Sequence, residues 1–317
     1  MTAASSNEPG AATVPPIEKR HPGPRFRELD GLRGIAALAV VLYHFTGHFA
    51  ARFPAAPRAF HDFWWGEYGV QLFFLLSGFV ILMTAWRAKR PSDFAISRVA
   101  RLYPPYWISL AVAVSLLLWR PMPGFPIDPA TVVANVTMVQ RWFLFPNVVE
   151  VYWTLAVEMQ FYVIVFVLLL VTRCRLRGRV LLWAAAAWTA VSWVVILAAF
   201  RVTSDNPQAD PTWVKLLTNA TVAEYGPLFV TGMLFYLVRE TGRHPGWAIA
   251  SAASTALGAT LLRGSEHGVM VAAVCALAWL VWRVGEQWLG KHARTGLVSL
   301  RDHVSPRAVA SKREAAR

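Results

Sequence analysis

The feature that most constrains this chain is a series of long apolar segments, each long enough to cross a lipid bilayer. Eight of them can be read from the sequence, at residues 34–50, 68–86, 103–119, 151–172, 180–200, 219–238, 246–262 and 268–283. Each has about 16 to 22 residues, which span roughly 24 to 33 Å as α-helix and match the hydrocarbon core of a membrane. Charged residues make up only 15% of the chain, against about a quarter in soluble domains. The sequence therefore predicts an all-α fold, a polytopic transmembrane helix bundle of about eight spans.

Two segments fit this pattern less well. Residues 246–262 are rich in Ala, Ser and Thr, which makes them the weakest of the predicted spans. Residues 130–145 are too short and too interrupted to cross the bilayer, and a re-entrant segment is one interpretation of them.

The basic residues predict how the spans are oriented. If the N-terminus is cytoplasmic, the short cytoplasmic loops hold 11 Lys and Arg and the longer outer loops hold 7, with the sequence RCRLRGR (173–179) as the strongest anchor. This bias predicts a multi-pass protein of the inner membrane with both termini cytoplasmic. The net charge of +13 is thus explained by topology, and nucleic acid is not an expected partner.

The regions outside the spans read as tails. Residues 1–27 are predicted to be a disordered cytoplasmic tail, residues 28–289 the transmembrane domain, and residues 290–317 a basic, polar C-terminal tail. Cys174 and Cys275 form no disulfide framework and have no metal-type spacing, so neither a metal nor a bound cofactor is expected.

A histidine and an arginine in the first span are candidates for chemistry. Arg33 and His44 are eleven residues apart, close to three helical turns, so they lie on nearly the same face and about 16 Å apart. The pattern predicts Arg33 at the cytoplasmic boundary, with Asp30 orienting its guanidinium, and His44 near the middle of the bilayer. An ionisable side chain at such a depth indicates function, and the pKa range of histidine suits proton transfer. A snorkelling anchor for Arg33 and a packed structural histidine for His44 are the competing interpretations.

A second basic pair lies in the sequence SRVARLYPPYW. Arg98 and Arg101 are three residues apart on what reads as a short helix, with Pro104 and Pro105 at the start of the next span. Two guanidinium groups at the cytoplasmic interface could hold a polyphosphate, and membrane anchoring is the alternative.

Two further patterns lie within predicted spans. Glu158, in YWTLAVEMQFY, lies about two turns into a span entered from outside, where a carboxylate needs a partner or a water-filled cavity. Ser77 and Gly78 lie in the middle of a predicted helix, which indicates close helix packing. A proton-coupled transporter would also explain an intramembrane His44 and Glu158, although no inverted repeat or paired broken helix is visible.

Four motifs in order resemble the acyltransferase-3 family of bacterial integral membrane proteins: ELDGLRGIAALAVVLYH, GVQLFFLLSGF, SRVARLYPPYW and YWTLAVEMQFY. The resemblance runs from about Arg27 to Gly290. Its Arg-x10-His element falls on Arg33 and His44, its Arg-x-x-Arg element on Arg98 and Arg101, and its acidic residue on Glu158. It implies acyl-CoA, usually acetyl-CoA, as the cytoplasmic donor, and a carbohydrate or other hydroxyl-bearing acceptor near the outer side.

The resemblance assigns His44, Glu158 and Arg33 to catalysis and Arg98, Arg101 and Asp30 to substrate binding. His44 as a general base assisted by Glu158, and a covalent acyl-histidine relay, both remain open. Family members typically have ten spans, whereas the stretch after Gly290 is basic and polar. The chain is therefore expected to be a C-terminally shortened member, and an inactive remnant is a further alternative.

Overall fold

A computed structural model describes residues 27–53, 55, 61–122, 124–205 and 211–284. Regular structure within these ranges is entirely helical, which confirms the predicted fold class. The helices are α1 (Arg27–Tyr43), α2 (Phe49–Arg52), α3 (Gly69–Arg87), α4 (Pro91–Trp119), α5 (Pro129–Val136), α6 (Tyr152–Thr172), α7 (Gly178–Asp205), α8 (Thr212–Thr221), α9 (Gly226–Thr241), α10 (Pro245–Arg263) and α11 (Ser265–Val284). A π-helical turn (His44–His48) joins α1 to α2, and a 3-10 turn (Trp64–Tyr68) leads into α3. The predicted tails lie outside the described residues, except for Arg27.

Seven helical stretches of the described chain are long and apolar enough to cross a membrane: Leu29–Ala51, Trp64–Arg87, Pro91–Trp119, Tyr152–Thr172, Gly178–Asp205, Thr212–Thr241 and Ser265–Val284. The eighth predicted span is α10, a helix of 19 residues that falls short of the same hydropathy criterion. Two polar residues of α10, Ser251 and Thr255, are buried. Their hydroxyls lie 2.8 Å and 3.1 Å, respectively, from the Thr231 hydroxyl on α9. These hydroxyls pair inside the bundle, so they lower the hydropathy of α10 without facing lipid.

The centre of the bundle is the crossing of α3 and α9. A Cβ atom on Gly78 would collide with the carbonyl oxygen of Phe229, and one on Gly232 with that of Leu75. Glycine at both positions lets the two backbones touch, as small residues do at membrane helix interfaces. The close packing predicted for the Ser77–Gly78 pair is therefore confirmed.

Helix α4 differs from the prediction in its continuity. A short helix followed by a span starting at the prolines was expected, but α4 runs unbroken for 29 residues with Pro104 and Pro105 inside it. Proline lacks an N–H and removes one helical hydrogen bond at each position. Aromatic side chains just after the prolines bind the C-terminal end of α5, since Tyr106 donates to the carbonyl of Asn135 at 2.7 Å and Trp107 to that of Val136 at 3.0 Å.

The segment predicted as too short to span is a compact loop element. Its helix α5 has only eight residues and is capped by Asp128, whose carboxylate accepts the N–H of Thr131 at 3.0 Å and whose pKa is lowered by the hydrogen bonds from Thr131. The fully buried Asn135 then ties the following turns together by donating to the carbonyls of Thr131 and Pro146.

Candidate active site

One large cavity lies between α1, α3, α4 and α6, with a volume of about 620 Å³. This is the size of a typical small-molecule site. Four of the six residues predicted for the site line it, namely Arg33, His44, Arg101 and Glu158. Residues far apart in the sequence are thus brought to one shared cavity.

One end of the cavity carries two arginines and is called the basic end. Arg33 projects from α1 and Arg101 from α4, and Arg33 is close enough to Arg101 and Glu158 to interact with both electrostatically. The Nε atom of Arg33 is buried and has no hydrogen-bond partner among the described residues. Arg101 is exposed. The basic end therefore offers two fork-shaped cations with donors left for an anionic ligand.

Glu158 lies in the middle of the cavity, two turns into α6. Its Oε1 atom accepts a hydrogen bond from the Tyr162 hydroxyl at 2.7 Å and one from the Ser77 hydroxyl at 3.3 Å. The carboxylate is thus fixed from two helices, and Arg33 supplies a nearby positive charge. No contact joins Glu158 to His44 in the described part of the chain.

The opposite end of the cavity carries two histidines and is called the histidine end. His44 and His48 lie in the π-helical turn with their ring centroids 5.2 Å apart, edge to face. The Nε2 atom of His48 is 3.5 Å from Oε2 of Glu150, a residue of the loop before α6. The Glu150 carboxylate, the His48 ring and the His44 ring thus lie next to one another, in this order, at the histidine end.

The packing of α1 against α3 sets the level of these side chains within the bundle. Gly66 and Gly69, where the α3 stretch begins, face the carbonyls of Ala39 and Ala36, and Thr46 accepts the N–H of Phe63 at 3.1 Å. His44 therefore lies level with the segment that leads into α3, and Arg33 lies near Glu158 inside the bundle. This register cannot be read from the length of the apolar run. The depths predicted for the two side chains in the bilayer stay predictions.

Two predicted residues do not line the cavity. The Arg98 guanidinium is buried on α4, 6.0 Å from the centroid of the Phe94 ring and 5.9 Å from that of Tyr162. Asp30 is exposed, and no hydrogen bond or ion pair to Arg33 is found in the described ranges. The two predicted arginines thus have different surroundings: Arg101 lines the cavity, whereas Arg98 packs against the rings of Phe94 and Tyr162.

Several lining residues were not predicted. Glu67 and Glu150 add carboxylates at the histidine end, and Gln71 presents a buried amide oxygen with no partner among the described residues. Three aromatic rings, of Phe74, Trp153 and Tyr225, form one packed wall. The sequence HFTGH signals His48 by its i, i+4 spacing from His44, whereas nothing in the sequence marks Glu150 or Gln71.

The charges are thus sorted along the cavity. Arg33 and Arg101 lie at one end, the hydrogen-bonded Glu158 lies between the ends, and two imidazoles and two carboxylates lie at the other end, where Arg263, which is paired with Glu224, also lines the cavity. Such a site can bind a polyanion at the basic end and carry out acid–base chemistry at the histidine end, about 16 Å of helix away.

Comparisons with known proteins agree with this picture. The family model Acyl_transf_3, described as an acyltransferase domain, matches residues 26–299. The acyltransferase MdmB of Streptomyces mycarofaciens is 29% identical over 77% of this chain and 64% of its own length. The peptidoglycan O-acetyltransferase OatA of Listeria monocytogenes is 30% identical over 43% of this chain and 23% of its own length.

A shorter match is to the exopolysaccharide production protein ExoZ of Rhizobium meliloti, 31% identical over 35% of this chain and 37% of its own length. The chain thus covers between about a quarter and two-thirds of these relatives. No solved structure matches it significantly. Because the family model covers most of the chain, the protein belongs to the acyltransferase-3 family of multi-pass membrane proteins.

Proposed function

We propose that this protein is a membrane-bound O-acyltransferase that moves an acyl group, most simply acetyl, from acyl-CoA to a hydroxyl of a carbohydrate or similar cell-surface acceptor. The observation that carries the proposal is the single cavity that joins Arg33 and Arg101 to His44. A CoA ester has a highly charged phosphate end and an uncharged arm that ends in the thioester. The basic end of the cavity is complementary to the phosphates.

The donor is assigned to the basic end. Arg33 and Arg101 would bind its phosphates as paired, charge-assisted hydrogen bonds, with the arm directed toward His44. About 16 Å of helix separate Arg33 from His44, so Arg33 takes part in donor binding and not in the chemical step. We propose that the donor binds from the cytoplasmic side and that both chain termini are cytoplasmic, which the distribution of basic residues supports.

The acceptor is assigned to the histidine end. Its hydroxyl gives its proton to His44 as the oxygen attacks the thioester carbonyl, the C–S bond breaks, and the CoA sulfur takes the proton back from His44. The unpaired Gln71 oxygen and the aromatic wall could hold a hydroxyl-rich ring. The names of two relatives, peptidoglycan O-acetyltransferase and exopolysaccharide production protein, support a carbohydrate acceptor.

The test is release of free CoA thiol from acetyl-CoA by the purified protein in lipid nanodiscs, with labelled acetyl followed into product. His44→Ala should lower the rate about 10²- to 10⁴-fold, because a general base is lost. His61→Ala, a matched change at an exposed histidine that does not line the cavity, should leave the rate unchanged. A transporter or an inactive remnant would release no thiol, and a His44→Ala variant as fast as the wild type would contradict the assignment of the base.

A further inference from the structure

A second histidine at the site has no role in the function proposed above. His48 lines the same cavity as His44, one turn further along the chain. Its Nε2 atom faces the Glu150 carboxylate at 3.5 Å. The edge-to-face ring contact with His44 leaves the two imidazoles within reach of proton transfer through one water molecule.

A purely structural role explains this pair poorly. The Glu150 side chain is 63% exposed and that of His48 is 32% exposed, and exposed ion pairs of this kind contribute little to stability. The π-helical turn that carries both histidines is a rare conformation, found mostly as single turns and frequently at functional sites. Thr46 secures the turn, since its hydroxyl donates to the carbonyl of Leu42 at 2.7 Å and accepts the N–H of Phe63 at 3.1 Å.

We propose that His48, held by Glu150, is a second acid–base residue of the transfer step. The acceptor O–H bond breaks and its proton goes to His44 and then to His48, where the Glu150 carboxylate stabilises the positive charge. The new C–O bond forms as the thioester C–S bond breaks. The thiolate takes the proton back through His44 and leaves as the free thiol, so that no proton is gained or lost. This inference rests on the proposed role of His44.

The groups around the pair are consistent with this role. The charged and titratable residues that face the π-helical turn or share this end of the cavity are Tyr43, His44, Asp62, Glu67, Glu150 and Arg263. Arg263 is already paired with Glu224. Among the carboxylates, Glu150 lies closest to the pair, 3.5 Å from Nε2 of His48, and is placed to stabilise a proton held there.

The experiment measures CoA thiol release by the full chain in nanodiscs for His48→Ala and Glu150→Gln, with added imidazole as a chemical substitute. His48→Ala should lower kcat about 10²-fold, and millimolar imidazole should restore part of that loss, because the deleted ring leaves room at an open end of the cavity. Glu150→Gln should lower kcat less and should not respond to imidazole. His61→Ala and Glu266→Gln, both at exposed residues outside the cavity, are the matched controls.

Each result separates this inference from the proposed function. A His48→Ala rate within twofold of the wild type, or a lowered rate that imidazole does not raise, overturns the acid–base role of His48. If His48→Ala does not fold, His48→Gln keeps a polar side chain of similar length and is measured in its place. A His44→Ala variant with wild-type activity, or a wild type that releases no thiol, overturns the proposed function and this inference with it.

Discussion

The two arginines of the Arg-x-x-Arg motif should respond differently to mutation. Arg101 lines the cavity, whereas the Arg98 guanidinium is buried against the rings of Phe94 and Tyr162. If Arg101 binds a donor phosphate, Arg101→Ala removes a charged hydrogen bond of about 1.5 to 3 kcal/mol, which corresponds to a Kd roughly 10- to 150-fold higher. Arg101→Lys should recover only part of this, because an ammonium lacks the planar fork.

Arg98→Ala should instead cost stability. Loss of the contacts with the two rings and the void left behind lower the free energy of unfolding by about 2 kcal/mol. The Kd for acetyl-CoA should stay within about threefold of the wild type, since the side chain does not reach the cavity.

Both quantities can be measured on the same purified samples, acetyl-CoA binding by isothermal titration calorimetry and the unfolding midpoint by a thermal scan in detergent. We expect a weaker Kd with an unchanged midpoint for Arg101→Ala, and the reverse for Arg98→Ala. If Arg98→Ala weakens binding as much as Arg101→Ala while its midpoint is unchanged, the assignment of one arginine to the donor and one to the fold is wrong.

Two further predictions concern the bundle. Gly232→Ala should destabilise it by about 1 to 3 kcal/mol or prevent folding, because the new Cβ collides with the backbone of Leu75. Gly246→Ala is the matched control: its Cβ has open space, so the change should be neutral. Equal yields and unfolding midpoints for the two variants would contradict the close crossing of α3 and α9. Topology can be tested by cysteine labelling in a chain whose Cys174 and Cys275 are first replaced. A cysteine at Ala55 should react with an impermeant maleimide added outside intact cells, and one at Arg177 should not. Labelling only at position 177 would reverse the predicted orientation.

The sequence was sufficient to predict the helices, because long apolar runs and basic loops depend on local composition alone. It gave α10 only as the weakest of the predicted spans, since Ser251 and Thr255 lower the hydropathy wherever they point, and the contact with Thr231 shows that they face the interior of the bundle. Pro104 and Pro105 suggested a helix start, but tertiary contacts of α4 allow the helix to continue through them.

For the site, residue types were predictable and their placement was not. Arg33, His44, Arg101 and Glu158 meet in one cavity because α1 and α6 both pack on α3 and α4 packs on α6. Spacing along one helix correctly put Arg33 and His44 on one face. The level of both within the bundle depends on the register of α1 against α3, which is set by the contacts of Gly66 and Gly69. The carboxylate beside His48 belongs to Glu150. The sequence did not point to Glu150, because it lies in a loop whose path no periodicity reveals.

The central claim is that donor and acceptor approach the cavity from opposite sides of the membrane. It can be tested by giving labelled acetyl-CoA, which does not cross membranes, to inside-out and to right-side-out vesicles that contain the protein. With Arg101 at the cytoplasmic approach and His44 at the outer one, inside-out vesicles should release CoA thiol and right-side-out vesicles should not, and His44→Ala should abolish the release. Thiol release from right-side-out vesicles at the same rate would contradict the account.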